Sequence, residues 1–276
     1  MTWRAVVTAL DEHDAFRSKV SAYLHPLAGR PVLWHVLRAL LESVPRPDEV
    51  LTLHDDGFTL ELPDDPEVPV RQQAVRRGDE KRALRAAITA PGMAVLVDGA
   101  APLLSPLTVG RLLRAGDAGL AIVDGAGDGQ PVAIAGEGPA LASAEDPRRP
   151  AGATRVGATS PNELLRVTDR HALSLASTAM RDRLVAMHEA NGVTFMLPET
   201  TWIEIDVRIG RDTVVYPGVV LEGVTEIESE CVIGPHSRII ESVLGRGVEL
   251  KGWNLVARTR IRNHAVLEAY VRRGFD

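Results

Sequence analysis

An aliphatic residue recurs at every sixth position between residues 200 and 241, and this period is the strongest pattern in the chain. The positions are Ile203, Ile209, Val215, Leu221, Ile227, Ile233 and Ile239. Two residues before the last six of them stand the small or β-branched side chains Val207, Thr213, Val219, Thr225, Cys231 and Ser237. Residues two apart in a strand share a face, so each unit directs one large and one small side chain inward. This spacing predicts short strands joined at the corners of a coil.

Turn-forming residues fall between the aliphatic positions, where a coil needs its corners. They are Gly210, Gly218, Gly223, Gly234, Pro217 and Pro235. Glycine reaches the unusual backbone angles of such corners, so turn chemistry and period agree. The segment therefore resembles the left-handed parallel β-helix of hexapeptide-repeat proteins, rather than a β-rich segment with accidental spacing. Beyond Ile239 the register slips, and Trp253 and Arg258 suit a regular coil poorly, so we expect an irregular last coil or two.

Strand-like and helix-like patterns alternate through the first 124 residues. Predicted strands cover residues 3–9, 49–54, 93–99 and 119–124, and predicted helices begin at Pro31, near residue 79 and at Ser105. Strand alternating with helix implies a parallel sheet covered on both faces, whose ligands lie beyond the carboxyl ends of the strands. We therefore expect any binding site of this α/β domain at the loop spanning residues 10–30.

The middle of the chain reads as a connection between two domains. Residues 125–157 are rich in Gly, Ala, Pro and Asp, which predicts a loop or marginal edge strand and part of a linker. Ser160, Pro161 and Glu163 form a capping-box helix start, and Asn191 with Gly192 ends that helix. Its predicted core face carries Leu164, Leu165, Leu173, Ala176, Met180, Leu184 and Met187. The expected domains are 1–157, a linker helix over 158–197, and a β-helix over 198–276.

Composition narrows the function classes. The chain has 276 residues, 45% of them hydrophobic, and a net charge of −6 without a basic run, which argues against nucleic-acid binding. The single cysteine, Cys231, excludes an intramolecular disulfide, and its interior position predicts a packing role. There is no long apolar run and no signal-like start, so we expect a cytoplasmic protein that does not bind membranes.

Four segments carry a resemblance to a known family. They are YLHPLAGRPVLWHVL (23–37), VRQQAVRRGD (70–79), VDGAAPLLSPLTVGRLL (97–113) and GVTFMLPETTWIEIDVRIG (192–210), followed by the hexapeptide repeats. In this order they resemble the bifunctional N-acetylglucosamine-1-phosphate uridylyltransferase/glucosamine-1-phosphate acetyltransferase family. The resemblance implies a Rossmann-like nucleotidyltransferase domain followed by a left-handed parallel β-helix.

The chain departs from this family where nucleotide phosphates and metal are held. The family's glycine-rich phosphate loop corresponds to residues 8–16, which contain no glycine but have Asp11, Glu12 and Asp14. Carboxylates would repel a triphosphate. Ala22 stands at the position of the family lysine, and Ala100 at that of its metal-binding aspartate. These changes predict loss of uridylyl transfer, and no residue is expected to be catalytic.

A few positions keep a possible ligand role by resemblance. Gln73 and Gly78 fall where the family reads the uracil edge, and Lys19, with Arg17 nearby, is a substitute for the missing lysine. Asp98 and Asn162 are the candidate ligands of Mg²⁺, a cofactor expected only if activity is retained. Three of these residues also have an ordinary structural explanation. Gln73 is explained as a surface glutamine, Gly78 as a loop glycine and Asn162 as a helix-cap asparagine.

The acetyltransferase half gives no stronger candidate. In the family, the acetyl-transfer residues lie in later coils, between neighbouring chains of a trimer, and we expect this chain, which reaches Asp276, to lack them. Either His236 or His264 on the coil could be called a general base, because an imidazole titrates near neutrality, but neither is expected to be catalytic. His236 follows Pro235 at a corner and is expected to face solvent. His25 and His35 are expected to pack, and no spacing resembles a zinc site.

Three functional hypotheses remain open from the sequence. The first is a catalytically degenerate family member that acts as a binding or trimeric scaffold protein, with a sugar nucleotide as candidate ligand. The second is a divergent, active UDP-N-acetylglucosamine pyrophosphorylase that uses Lys19, Arg17 and Asp98. The third is a purely structural homotrimer packed through the β-helix, because a triangular coil leaves its faces partly uncovered.

Overall fold

The structure is a computed structural model that describes residues 2–10, 14–56, 63, 65–125 and 130–274. It forms two compact units, one of residues 1–26 and 31–176 and one of residues 27–30 and 177–276. The division falls inside the helix Arg170–Ala190. No helix within the described ranges is long and apolar enough to cross a membrane.

The first unit is built on one sheet with helices on both faces. Its strands and those of a small hairpin are β1 (Trp3–Ala9), β2 (Pro26–Leu27), β3 (Arg30–Pro31), β4 (Glu49–Asp55), β5 (Val70–Val75), β6 (Met93–Asp98), β7 (Ala121–Asp124), β8 (Pro131–Glu137) and β9 (Thr154–Arg155). Its helices are α1 (Val32–Leu41), α2 (Glu80–Ile88), α3 (Pro106–Gly116) and α4 (Gly138–Ser143), with 3-10 turns at Asp14–Phe16, Ala22–Leu24 and Pro161–Leu164.

The seven strands lie in the order β5-β4-β1-β6-β8-β7-β9. On one face, apolar residues of α1 and α3 such as Leu37 and Leu112 pack in the core around Val7. On the other face, Leu84 of α2 and Leu141 of α4 are in the core cluster around Val6. Both faces of the sheet are therefore buried, as the alternating pattern predicts.

One strand of this sheet corrects the sequence prediction. Residues 125–157 contain β8, which runs antiparallel to β6 and β7 and lies between them. Its residues from Val132 to Gly136 are buried. The prediction of a loop or marginal edge strand is wrong here, and the sheet is mixed rather than parallel. Small residues allow β8 to lie under α3. The two elements approach closely at Gly116 and Ala135, where a Cβ added at Gly116 would lie only 2.8 Å from the Cβ of Ala135.

The predicted start of the linker helix at Ser160 is also wrong, whereas its predicted end at Asn191 and Gly192 is confirmed. The Ser160 side chain accepts a hydrogen bond from the Asn162 backbone N–H at 3.3 Å, but this opens only the 3-10 turn. Helix α5 (Arg170–Ala190) begins later. Glu163 does not complete a capping box, because its carboxylate accepts hydrogen bonds from Ser105 instead.

The predicted core face of that helix is only partly confirmed. Ala176, Met180 and Leu184 are buried, whereas Met187 is exposed. Leu164 and Leu165 precede α5 and are half-buried, as is Leu173 within it.

The second unit is a coil of short parallel strands. Its three sheets take every third strand, and a 3-10 turn at Pro198–Thr200 separates the first strand from the second. The strands are β10 (Thr194–Phe195), β11 (Trp202–Ile203), β12 (Arg208–Ile209), β13 (Val214–Val215), β14 (Val220–Glu222), β15 (Glu226–Ile227), β16 (Val232–Ile233), β17 (Arg238–Ile240), β18 (Val243–Leu244), β19 (Glu249–Leu250), β20 (Leu255–Ala257), β21 (Arg260–Ile261), β22 (Val266–Leu267) and β23 (Arg272–Arg273). The large and small positions of the repeat are buried, and the left-handed parallel β-helix is confirmed.

The register slip expected beyond Ile239 is confirmed, but strand pairing continues through the last coils, so the expected irregular coil is wrong. Leu221 pairs with Ile239, eighteen residues on, and Ile239 pairs with Val256, seventeen residues on. Each later turn therefore drops one residue at a corner. Trp253 and Arg258 occupy corners with positive φ values of 56° and 47°, where their side chains point outward and do not disturb the interior.

The hairpin tip, Leu27–Arg30, belongs to the second unit. The carbonyl oxygen of Ala28 accepts a hydrogen bond from the Ile205 N–H at 3.0 Å. Arg30 pairs with Asp206 at 2.7 Å. These contacts account for the conformation of the LHPLAGRP segment on which part of the family resemblance rests.

A glycine between coils provides a test of this packing. A Cβ added at Gly234 would lie 2.3 Å from the Leu250 carbonyl oxygen and 2.6 Å from the Gly252 nitrogen, whereas one at Gly157 meets nothing within 4 Å. We expect Gly234→Ala to lower the free energy of unfolding of the β-helix by about 1–3 kcal/mol, since backbone atoms cannot yield. Hydrogen exchange of the backbone amides of residues 194–273 measures this loss of stability, with Gly157→Ala as control. Unchanged protection in Gly234→Ala would contradict the described coil spacing.

Candidate cleft at the sheet edge

A cleft of about 690 Å³ opens in the first unit at the carboxyl ends of β1 and β6. Its apolar lining includes Leu10, Leu84, Leu96 and Ile134. The polar lining comes from the start of α2, the start of β8, residues 145–148 and the segment leading to α5. This is the edge where ligands of open α/β sheets bind, so the cleft is the candidate site.

A buried ion pair lies in this cleft. Asp98 is the last residue of β6, and one of its carboxylate oxygens accepts a hydrogen bond from the Ala100 N–H at 2.8 Å. The other oxygen lies 2.5 Å from Nε of Arg166. The two side chains are only 10% and 11% exposed, so solvent screens their attraction weakly. The Asp98 carboxylate is therefore held by a fixed guanidinium and a backbone amide.

Charges along the cleft balance. Among the described residues that line it, the cations are Lys81, Arg85, Arg148 and Arg166, and the anions are Glu80, Asp98, Glu145 and Asp146. Arg85 is further committed to the carbonyl oxygens of residues 142, 144 and 145. A nucleoside triphosphate needs an excess of positive charge, and four cations against four anions do not provide it.

The position of the family's metal aspartate is closed. Ala100 is fully buried in the core of the first unit. Its carbonyl oxygen accepts a hydrogen bond from the Val167 N–H at 2.7 Å, which fixes the backbone next to Arg166. Mg²⁺ prefers several oxygen ligands in octahedral geometry, but among the described residues the carboxylate at this place, Asp98, is already paired. The described residues do not fit a Mg²⁺ site, and they contain no cluster of His, Cys, Asp or Glu suited to a metal.

The loop at the family's phosphate position is held by aromatic packing. Phe16 and Tyr23 are both buried. Phe16 stacks on His25, with ring centroids 4.5 Å apart, and its carbonyl oxygen accepts a hydrogen bond from Arg170 at 3.1 Å. Burial, and then the nearby Arg170, lowers the pKa of His25, in keeping with its expected packing role. This loop uses large side chains where a phosphate loop uses glycines and free N–H groups.

The three carboxylates expected in this loop cannot be placed against the cleft. Asp11 and Glu12 lie outside the described residues, and so does the side chain of Asp14. The backbone of Asp14 forms the first residue of a 3-10 turn. Their repulsion of a triphosphate stays a prediction.

None of the other predicted ligand residues lines the cleft. Lys19 and Arg17 have exposed side chains on the loop, and Gln73 is exposed on the edge strand β5. Gly78 lies in the turn before α2, with φ of 92°, and donates its N–H to Glu80 at 2.6 Å. Asn162 is exposed on its 3-10 turn, so only Asp98 of the two candidate metal ligands reaches the cleft.

The coil histidines occupy corners. His236 and His264 have positive φ values of 55° and 57° and exposed side chains, and for His236 this agrees with the expected solvent-facing position. His236 stacks on Trp253 with ring centroids 4.4 Å apart. His35 is buried on α1, as expected of a packing residue.

The sequence reasoning missed the residues that define the cleft. Lys81, Arg85 and Arg166 look like ordinary surface cations in the sequence, and Thr168 follows within the segment predicted as helix. The available signal was Val167, an apolar residue between polar ones. Val167 is fully buried, and its neighbours Arg166 and Thr168 line the cleft.

Glu163 anchors the segment that carries Arg166. It is 1% exposed and accepts hydrogen bonds from the Ser105 N–H at 3.1 Å, the Ser105 hydroxyl at 3.0 Å and the Thr159 hydroxyl. Burial alone would raise the pKa of Glu163, but hydrogen bonds from Thr108, Thr159 and Ser105 outweigh it and lower the pKa below its usual value. The carboxylate is therefore ionised and ties residues 159–163 to the start of α3.

Comparison with known proteins adds relatives for part of the chain. No protein-family model matches it. The bifunctional protein GlmU of Bacillus velezensis is 48% identical over 101 residues, which cover 37% of this chain and 22% of that protein. The same protein of Alkaliphilus metalliredigens is 39% identical over 108 residues, covering 39% and 24%. In Clostridium botulinum it is 41% identical over 112 residues, covering 41% and 22%. The matched part thus spans less than a quarter of these relatives.

Solved structures resemble the chain at low identity. A nucleotidyl transferase from Methanothermobacter thermautotroptrophicus gives a TM-score of 0.46 at 18% identity, covering 67% of this chain and 98% of that one. A 2-C-methyl-D-erythritol 4-phosphate cytidylyltransferase from Thermus thermophilus gives 0.45 at 19%, covering 64% and 98%. The fold is defined by the strand order described above, and these similarities add no argument to it.

The mixed sheet with its edge cleft and the coil of parallel strands define an α/β domain with a left-handed parallel β-helix. Over about two fifths of its length the chain is similar to GlmU proteins, at 39% to 48% identity.

The anchoring role of Glu163 can be measured as stability. In Glu163→Gln, an amide NH₂ faces donors that a carboxylate satisfies, so we expect a loss of about 1–3 kcal/mol of unfolding free energy. The pKa of Glu163 is lowered in the folded state, so its contribution is complete above the ordinary glutamate pKa and disappears as pH falls through the folded value.

Urea unfolding of wild type and Glu163→Gln at several pH values tests this. The two stabilities should converge at acid pH. Glu42→Gln, which alters an exposed i,i+4 pair with Arg38, serves as the control and should change little. A pH-independent difference between wild type and Glu163→Gln would contradict an ionised Glu163.

Proposed function

We propose that the protein is a catalytically degenerate member of the sugar-nucleotide uridylyltransferase family that acts as a binding or trimeric scaffold protein. The observation that carries the proposal is the buried pairing of Asp98 with Arg166 beside the fully buried Ala100. Uridylyl transfer needs cationic groups and Mg²⁺ around the nucleotide phosphates. In this chain the Asp98 carboxylate, next to Ala100, is neutralised by the Arg166 guanidinium of the same chain.

The loop before the hairpin supports the same proposal. Phosphate binding at a strand-to-helix turn depends on backbone N–H groups that a small residue leaves open. Phe16, Ala22 and Tyr23 fill this region with buried side chains. The substitutes expected for a divergent active enzyme, Lys19 and Arg17, are exposed and do not line the cleft. The preserved scaffold therefore favours binding or assembly over transfer.

The β-helix offers a surface for the proposed trimer. In the sheet formed by β10, β13, β16, β19 and β22, the outward side chains include Val214, Val232 and the exposed Val266, with Tyr216 beside them. The sheet formed by β12, β15, β18 and β21 carries mostly charged residues at the equivalent outward positions, such as Arg208 and Glu226. An exposed apolar surface on a soluble fold favours contact with another chain. We propose that the valine-bearing sheet forms the contact between copies.

An activity assay tests the degenerate reading. Purified protein with UTP, N-acetylglucosamine 1-phosphate and Mg²⁺ should release no pyrophosphate and form no UDP-N-acetylglucosamine above a blank, because the described residues that line the cleft carry no net positive charge. Turnover that Lys19→Ala or Asp98→Ala abolishes would support the divergent enzyme instead. Lys251→Ala, which alters a pair with Glu249 on the β-helix, is the control for Lys19→Ala.

Light scattering tests the trimer. We expect the wild-type chain to have a mass of three copies, and Val266→Glu to dissociate it, since a charge would be buried at the contact. Val224→Glu is the matched control, because Val224 is also highly exposed on the β-helix but at a corner. A wild-type monomer at all concentrations would rule out the scaffold in its trimeric form.

A further inference from the structure

In the Asp98–Arg166 ion pair, the protein itself supplies the cation and holds it in a fixed position. Arg166 reaches Asp98 across 68 positions of sequence, and both side chains are almost completely buried. The backbone on the far side of Arg166 is fixed, since the Val167 N–H donates to Ala100 and Val167 is fully buried. On the near side, Glu163 is tied to Ser105. The guanidinium is therefore positioned by the fold and not by the ion pair alone.

Arginine is suited to a permanent role of this kind. Its guanidinium stays charged at any physiological pH and is less strongly hydrated than an ammonium group, so it is the cation that proteins most readily bury beside a carboxylate. Removing one partner of a buried pair leaves an uncompensated charge, which is costly. A divalent cation approaching Asp98 would have to expel this guanidinium into the cleft.

We propose that Arg166 takes the place of a divalent cation at Asp98, so that the cleft operates without metal. This inference rests on the proposed function for the choice of this cleft as the binding site. The geometry of the Asp98–Arg166 pair does not depend on the proposed function. In this proposal, the positive charge of the Arg166 guanidinium neutralises the Asp98 carboxylate.

The surroundings of Asp98 show what removal of the guanidinium would create. Thr8, Gln130 and Thr168 line the same cleft and carry hydroxyl or amide oxygens. Carboxylate, hydroxyl and amide oxygens are the ligands that Mg²⁺ and Mn²⁺ prefer. A neutral side chain at residue 166 would leave the Asp98 carboxylate without its guanidinium in a cleft that these oxygens also line. We therefore expect a divalent cation to compete for Asp98 only when Arg166 is replaced.

Balanced charge also sets the class of ligand that a metal-free cleft would take. With four cations, four anions and an apolar lining that includes Leu84, Leu96 and Ile134, the cleft suits a hydroxyl-rich molecule of low net charge. It does not suit a polyphosphate that arrives with its metal.

Mn²⁺ binding followed by electron paramagnetic resonance tests the inference, with the metal alone as probe. Wild type should leave Mn²⁺ free. Arg166→Gln should bind it at least tenfold more tightly than wild type, and Mn²⁺ should raise the melting temperature of this variant but not that of wild type. Asp98→Asn combined with Arg166→Gln should lose the gained binding while keeping the fold, because two neutral amides replace the pair.

Arg85→Gln is the matched control, since it removes another cleft cation without freeing a carboxylate. If Arg166→Gln does not fold, Arg166→Met keeps the apolar part of the side chain and makes the same comparison. Wild-type Mn²⁺ binding that Asp98→Asn abolishes would overturn the inference, and so would a folded Arg166→Gln that gains no binding. Turnover with UTP, measured separately, or a monomeric mass would count against the proposed function and leave this result untouched.

Discussion

The buried pairing of Asp98 with Arg166 is the interaction on which the first unit's cleft depends. A carboxylate at the end of β6 faces the edge where ligands of open sheets bind, and a buried charge of that kind requires a partner. The chain supplies the partner itself. The charge that the cleft presents depends on this pairing, and the metal-free cleft and the ligand class proposed above rest on it.

The segment from residue 159 to residue 168 exists in its observed form because of two anchors. Glu163 accepts hydrogen bonds from Ser105 and Thr159, and Val167 is buried with its N–H bonded to Ala100. A regular helix across this stretch would turn Arg166 away from at least one of those contacts, since helical neighbours recur every three or four residues. The local helix signals lose to tertiary contacts here, and the functional side chain lies between the anchors.

The β-helix shows how a repeat tolerates change without losing its core. From Ile239 onward each coil is one residue shorter, yet the inward positions stay paired through Leu250 to Leu267. The change is absorbed at corners, where Glu241 and Arg258 have positive φ. Residues as large as Trp253 are accepted at such positions because their side chains extend into solvent and stack on a neighbour such as His236.

The sequence by itself determined the β-helix, the strands β1, β4, β6 and β7, and the helices α1, α2 and α3, because the repeat period, apolar runs and helical amphipathicity are local patterns. It did not indicate the edge strand β5. It also indicated that the phosphate loop had lost its glycines. It did not reveal β8, because an antiparallel strand needs no crossover helix and its alanines and glycine look like a linker. Only the tertiary structure decided that Asp98 has Arg166 as its partner, since sequence separation conceals which distant charge the fold brings within 2.5 Å of a buried carboxylate.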